Sequence, residues 1–191
     1  MTSRPSQFVK EIRAIGAVEF ALIVPVMLLV WVGTVELAEL HLASRKVTVA
    51  AQTAADLIAQ ERSVTEAQLE DVVAAVNAIM VPYPTTSMSY DLVSVEADTD
   101  GSVSIGWRFT QGTASAGIGG IPPKAPPLLT ENDSVIVAVI SYQHQPLFDI
   151  GIVTGIVDVN ITEEAYSRPR KVSKIPPVSY THLTLPTILL V

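Results

Sequence analysis

A single acidic side chain lies near the start of the longest apolar stretch of the chain. Glu19 is the one charged residue between Ile15 and Val35. A carboxylate on an apolar helix is costly in lipid unless a cation or another polar group partners it. A cationic group of a neighbouring chain would offset this cost for Glu19. The alternative is that Glu19 lies at the level of the lipid headgroups and stays hydrated.

The other residue types that commonly do chemistry form no recognisable constellation. The three histidines, His41, His144 and His182, have no second histidine or cysteine at the spacing of metal ligands, so we expect His41 and His144 to be surface or interfacial residues. The segment Asp98–Gly101 is better explained as a hairpin turn than as a calcium loop, because it lacks the length and the closing glutamate. Phosphate-binding and nucleophile motifs are absent. The sequence thus predicts no catalytic, cofactor or metal site, and no enzyme.

Composition narrows the class of protein further. The 191 residues carry a formal net charge of −7, and 49% of them are hydrophobic while 16% are charged. An acidic chain of this kind argues against nucleic-acid binding, which requires a basic surface. The lack of cysteine excludes a disulfide scaffold and thiolate chemistry. A membrane-associated or well-buried protein remains.

The apolar run has the length of a membrane-spanning helix. Its 21 residues from Ile15 to Val35 would extend about 30 Å as a helix, which matches the hydrocarbon core of a bilayer. Arg4, Lys10 and Arg13 precede the run and predict a cytoplasmic N-terminus with the rest of the chain exported. A cleaved signal sequence is the alternative, but its apolar core would be only about 7–15 residues long. Pro25 is expected to kink the helix.

The helical pattern continues to about residue 60 and is followed by a second helix. Beyond Val35, apolar or small residues recur at helical spacing and predict a buried face: Leu37, Leu40, Ser44, Val47, Ala51, Ala54 and Ile58. Glu36 falls among the polar residues assigned to the other sides. Ser63 and Glu66 resemble a capping box that would start the second helix, which Pro82 would stop.

The remaining chain has the alternation and turn residues of a small antiparallel sheet. We predict a strand at 87–97, a hairpin turn at Asp100-Gly101 and a second strand with Val103, Ile105, Trp107 and Phe109 on one face. A loop at 111–127 precedes a strand at 134–142 that is covered on both faces, and a last strand is predicted at 156–162. The predicted fold class is α+β: a long N-terminal transmembrane helix continuing as an amphipathic helix, a short second helix and a small antiparallel sheet.

The predicted organisation has four parts. Residues 1–14 form a cytoplasmic leader, 15–35 the transmembrane helix and 36–177 a periplasmic α+β domain. Residues 178–191 begin with VSYTHLTLPTI, which resembles a translated sequencing adapter, and we interpret them as a non-native tail without function.

The N-terminal block resembles the TadE/TadG-like proteins of the bacterial tight-adherence (Tad, or Flp) pilus machinery. The resemblance rests on RAIGAVEFALIVPVMLLVWVGTVEL at 13–37, with AVEFAL at its core, then Pro25 and the region of Glu36. It continues through RKVTVAAQTAADLIAQ at 45–60 and extends to SYQHQPLF at 141–148 and AYSRPR at 165–170.

This resemblance implies a single-pass, minor-pilin-like protein of the bacterial inner membrane whose C-terminal domain is periplasmic. Its partners would be other pilin-like or Tad secretion components and a prepilin peptidase. The family usually has glycine five positions before the glutamate, where this chain has Ala14. Cleavage between Ala14 and Ile15 would make Glu19 the fifth mature residue, able to pair with the new N-terminal ammonium of a neighbour. Glu19, Phe20 and Pro25 would then be the helix-packing and assembly residues.

A second hypothesis keeps a different function class open. The first segment would be only an export signal, and the product would be a secreted periplasmic binding domain. The loop at 111–127 would then be its ligand-contacting element.

Overall fold

The computed structural model describes residues 5–112, 120–148 and 159–178, and within these ranges the fold is α+β as predicted. The elements are the helices α1 (Pro5–Ala59) and α2 (Glu66–Met80) and the strands β1 (Met88–Ala97), β2 (Val103–Gly112), β3 (Ser134–Gln143) and β4 (Asn160–Ser167). The strands pair antiparallel in the order β2-β1-β3-β4.

The described residues belong to two compact units. The first unit comprises residues 5–42 and 145–148, and the second comprises residues 43–112, 120–144 and 159–178. The first unit holds most of the apolar half of α1. The second unit holds the sheet, α2 and the alanine-rich end of α1.

Helix α1 confirms the long helix predicted from the uninterrupted pattern, although it begins at Pro5 rather than near residue 15. Pro25 lies inside it without ending it. In the second unit its buried face consists largely of alanine, with Ala43, Ala50 and Ala54 fully buried. Small side chains on this face let neighbouring elements approach the helix backbone closely.

The predicted buried face of α1 is confirmed at four positions of the second unit, is half-buried at Ser44 and is wrong at Leu37. Val47, Ala51, Ala54 and Ile58 are buried, whereas Leu37 is 66% exposed. Glu36, which was assigned to the polar sides, is fully buried. The reversal has a tertiary cause, because Phe148, which is distant in sequence, contacts α1 at this level.

Helix α2 is capped by Thr65, so the capping box predicted at Ser63 and Glu66 is wrong. The Thr65 hydroxyl accepts from the Gln68 N–H, and the Gln68 side chain accepts from the Thr65 N–H. Val64 cannot join the helix, because its N–H donates to Pro176 and its carbonyl accepts from Val178. These bonds hold Val64 against the C-terminal segment in a parallel bridge with Pro177.

The two central strands are buried on both faces. All ten residues of β1 except Glu96 are buried, and so are all of β3 except Gln143. One face holds a valine cluster that is covered by Ala125 and Leu129 of the segment before β3: Val93, Val95, Val135, Val137 and Val139. The prediction that the third strand is covered on both faces is confirmed. Part of the predicted 111–127 loop thus packs over the sheet. Residues 113–119 of this loop lie outside the described ranges.

Strand β2 differs from the predicted half-buried strand. The Asp100-Gly101 hairpin turn is confirmed, with Gly101 at φ +78° and its N–H donating to Asp98. A register shift opposite Ser94 and Val95 then inserts Gly106 as an extra residue. A bulge of this kind reverses the faces of the residues that follow it. Val103 therefore packs on the valine cluster while Trp107 pairs opposite Ser94 and is buried, so the four apolar residues do not share one face.

Strand β4 lies farther along the chain than predicted. It spans Asn160–Ser167, so only residues 160–162 of the predicted 156–162 strand belong to it. Val157 lies outside the described residues. The polar sequence of β4 suits an edge strand, and the Glu164 carboxylate accepts hydrogen bonds from Lys124 and Tyr166.

Candidate functional site

The apolar half of α1 presents its large side chains outward. Phe20, Leu22 and Met27 are each more than 60% exposed. Only 6% of the most apolar stretch of the helix is buried, whereas the core helix of a soluble protein would be mostly buried. By length and composition, this is one helix able to cross a membrane among the described residues. The finding supports single-pass membrane anchoring.

Four of the residues singled out from the sequence lie on this outward surface. Ile15 and Glu19 are one turn apart and both exposed, and Phe20 and Pro25 are exposed as well. Ala14 lies in α1. Among the described residues, no hydrogen bond or ion pair of this chain involves Glu19. The structure leaves its carboxylate available to a group outside the chain, which is compatible with both the paired and the hydrated alternatives.

Glu36 is a polar residue whose role the sequence analysis missed. It follows sixteen uncharged residues of α1, and its side chain is fully buried within the described structure. Its Oε1 accepts the backbone N–H of Phe148 at 2.6 Å. Its Oε2 is buried without a hydrogen-bond partner among the described residues. The signal available in the sequence was the position of this acid at the end of the apolar run.

An aromatic contact joins the same two segments of the first unit. The rings of Trp31 and Phe148 lie with centroids 6.1 Å apart and planes inclined by 57°. Val32, one turn before Glu36, is 7% exposed, while Leu147 next to Phe148 is 62% exposed. We refer to Trp31, Glu36, Leu147 and Phe148 as the loop clamp.

In the second unit the charged contacts fasten elements to one another. The guanidinium of Arg108 on β2 donates to both carboxylate oxygens of Asp91 on β1, at 2.8 and 2.6 Å. The Asp91 side chain is only 2% exposed. This hydrogen-bonded pairing raises the pKa of Arg108 above its ordinary value. The pair is a bidentate cross-strand link, not an open site.

Lys46 connects the two helices. Its Nζ donates to the carbonyls of Ile79 and Val81 at the end of α2, at 3.0 and 2.6 Å, and lies 5.9 Å from the centre of the Tyr83 ring. A cation at a helix C-terminus satisfies orphan carbonyls and complements the helix dipole. Lys46 is therefore structural.

The expectation that His144 is a surface or interfacial residue is wrong. His144 is 2% exposed, its backbone N–H donates to Val159, and its ring lies 6.4 Å from that of Tyr142. Both ring nitrogens are buried without a hydrogen-bond partner in the described structure. His41 is exposed, as expected, and His182 lies outside the described residues.

Neither a metal site nor a reactive group stands out in the ranges that the structure describes. Those ranges contain no cluster of three histidine, aspartate or glutamate side chains able to hold a metal ion. A groove of about 580 Å³ lies between the start of α2 and β2, with Leu69, Trp107, Phe109 and Pro177 among its lining residues. None of the buried polar atoms without a hydrogen-bond partner among the described residues belongs to a residue that lines this groove.

Comparison with known proteins gives one finding. Residues 15–56 match the family model described as TadE-like protein. No curated protein and no solved structure matches the chain. The resemblance to the TadE/TadG-like family is confirmed over these residues, which include the apolar run, Glu19 and Glu36. The resemblance at 141–148 and 165–170 lies outside the match and stays a prediction.

Proposed function

We propose, from the TadE-like match of residues 15–56, that the protein is a membrane-anchored, minor-pilin-like component that acts in assembly of the Tad/Flp pilus. The observation that carries this proposal is the outward apolar surface of α1 with Glu19 near its start, inside the matched segment. Its role is assembly through helix packing.

The proposed mechanism uses the exposed helix surface twice. In the membrane, lipid covers the side chains between Ile15 and Trp31 and anchors the protein. During assembly, helices of other pilin-like or Tad secretion components replace part of that lipid. Packing and polar contacts then drive association, because lipid and leucine are equally apolar.

Glu19 supplies the directional contact in this mechanism. A carboxylate in apolar surroundings is stabilised by a cationic partner. We propose that a prepilin peptidase cuts between Ala14 and Ile15, so that a neighbour's new N-terminal ammonium pairs with Glu19. Phe20 and Pro25 belong to the same packing surface. The second unit is then proposed to lie in the periplasm, with the inner membrane holding residues 15–35 of α1.

N-terminal analysis and intact mass of the protein from its native host, after membrane fractionation, test the anchor. The expected product lies in the inner membrane and begins at Ile15. A free periplasmic product lacking everything up to about Ala43 would contradict the anchor and favour the secreted binding domain. A membrane-bound product that still carries Ala14 would contradict the cleavage.

A Glu19→Ala variant tests the assembly role separately from insertion. We expect the variant to reach the membrane in normal amounts while pilus output falls. Glu70→Ala is the matched control, because Glu70 is an exposed acid on α2 and its loss should leave output unchanged. Wild-type output from Glu19→Ala would remove Glu19 from the mechanism.

A further inference from the structure

Among the described residues, the segment that follows β3 ends in two apolar side chains, Leu147 and Phe148. The described segment Gln145–Phe148 has the sequence QPLF, and Leu147 is 62% exposed within it. An exposed leucine alone is ordinary on a protein surface. Its position against the outward apolar surface of α1 is what makes it informative.

The contact between Phe148 and Trp31 fixes the level of this segment along α1. Trp31 lies four residues before the end of the apolar run at Val35, or about 6 Å along a helix. Phe148 lies with its ring centroid 6.1 Å from that of Trp31. A side chain that contacts Trp31 is therefore inside the level that the bilayer must cover if the run spans it. Aromatic side chains concentrate at this boundary in membrane proteins.

Glu36 makes this position tolerable for the loop backbone. A backbone N–H that enters the apolar boundary loses water and needs an internal acceptor. The Phe148 N–H has one, because Glu36 Oε1 accepts it at 2.6 Å. The carboxylate thus acts as a positioning residue that holds the segment against the helix.

We propose that Leu147 and Phe148 insert into the lipid boundary beside Trp31, so that the protein contacts the membrane through a loop as well as through α1. This inference rests on the proposed membrane anchor. The occupant is lipid rather than a second copy of the chain, because Leu147 and Phe148 are apolar and Phe148 contacts Trp31 on the helix surface that the proposed anchor places in lipid. Apolar side chains at such a boundary lie about 5–10 Å below the headgroup level.

Site-specific labelling tests the proposal, because the chain contains no cysteine. Single-cysteine variants of the full chain are labelled with an environment-sensitive NBD group and reconstituted in phosphatidylcholine vesicles with or without doxyl-labelled lipid. Leu147→Cys reports on the loop and Leu28→Cys on the membrane helix. Thr162→Cys on β4 is the control, because Thr162 is exposed in the second unit.

We expect the label at position 147 to be quenched by shallow doxyl lipid at least about twofold more than the label at position 162, as insertion of 5–10 Å requires. Quenching at 28 without quenching at 147 would overturn the loop proposal and leave the anchor intact. Absence of quenching at 28 would instead overturn the anchor, and the loop proposal with it. A blue-shifted label at 147 that lipid does not quench would show burial against protein and would also overturn the proposal.

Two variants test the role of Glu36 in the Leu147→Cys background. Glu36→Ala removes the acceptor of the Phe148 N–H, so quenching at 147 should fall to the level at 162. Glu36→Gln keeps an acceptor oxygen and should restore most of the quenching. Equal quenching in wild type and Glu36→Ala would overturn the positioning role, and the label at 28 controls for insertion.

Discussion

The apolar half of α1 exposes its large side chains, whereas the alanine-rich half buries its small ones. Between Ile15 and Trp31 the helix exposes leucine, phenylalanine and methionine, while between Ala43 and Ala59 it buries alanine and valine. A soluble amphipathic helix would bury its largest apolar side chains. Within the described residues, the chain packs the second half of α1 and leaves the large side chains of the first half exposed, which is consistent with an apolar surrounding outside the chain.

The comparison extends to charged groups. In the second unit Asp91 is buried and paired with Arg108, whereas Glu19 on the first half of α1 has no partner within the described chain. A buried charge needs a partner, whichever medium surrounds it. Four variants test how differently the two regions respond to substitution.

Removing the cation of the buried pair should have the largest effect. Arg108→Ala leaves the Asp91 carboxylate buried and unpaired, which costs about 3–5 kcal/mol in free energy of unfolding. The measurement is urea unfolding of the full chain in detergent micelles, followed by near-ultraviolet circular dichroism. Lys124→Ala is the control, because Lys124 makes an exposed ion pair with Glu164. Equal stability of Arg108→Ala and wild type would mean that the carboxylate is solvated.

A charge in the apolar half of α1 should disturb insertion and not the second unit. Leu28→Lys places an ammonium within the run, at a cost of about 2.5–3.5 kcal/mol in membrane insertion. Insertion is measured by resistance to alkaline extraction from membranes. Ala74→Lys on the exposed side of α2 is the control and should extract like wild type. Unchanged resistance of Leu28→Lys would contradict contact of this surface with lipid.

Enlarging a buried alanine in the other half of α1 should destabilise the second unit. Ala54 is fully buried, so Ala54→Leu overpacks its surroundings and lowers the free energy of unfolding by about 1–3 kcal/mol. Gln52→Leu, at an exposed position of the same helix, is the matched control in the same urea experiment. A neutral Ala54→Leu would show that the alanine face is loosely packed.

The capping residue of α2 should have the smallest effect. Thr65→Ala removes the side-chain acceptor of the Gln68 N–H and should cost about 1 kcal/mol. Ser63→Ala should leave stability unchanged, because Ser63 lies before the residue that bridges to Pro177. The opposite order of the two variants would restore the cap predicted from the sequence.

The sequence predicts the elements whose signals are local. The extent of α1 follows from an unbroken helical pattern, the Asp100-Gly101 turn from its backbone preference, and the double burial of β3 from its lack of alternation. The contacts of packed side chains are not predicted in this way. The Tyr90 hydroxyl donates to Asn77 of α2, and burial raises the pKa of Tyr90 to about 12. No sequence signal near Tyr90 identifies that partner.

The errors arise where a distant segment decides the local structure. Ser63 does not cap α2, because the backbone of the next residue, Val64, is held in a bridge by Pro176 and Val178. Helical periodicity placed Glu36 on a polar side of α1, but its carboxylate accepts the N–H of Phe148. The candidate site divides in the same manner: Glu19 is visible in the sequence because its environment is its own apolar run, whereas the loop clamp joins residues more than a hundred positions apart.

The bridge between Val64 and the end of the described chain has a practical consequence for protein engineering. Val64 exchanges backbone hydrogen bonds with Pro176 and Val178, and the Trp107 indole donates to the carbonyl of Ile175 at 2.8 Å. A purification handle or fluorescent reporter joined after Val178 leaves these bonds in place. The same fusion made before Ile175 would remove the residues that make these bonds and leave the Trp107 indole N–H without its acceptor.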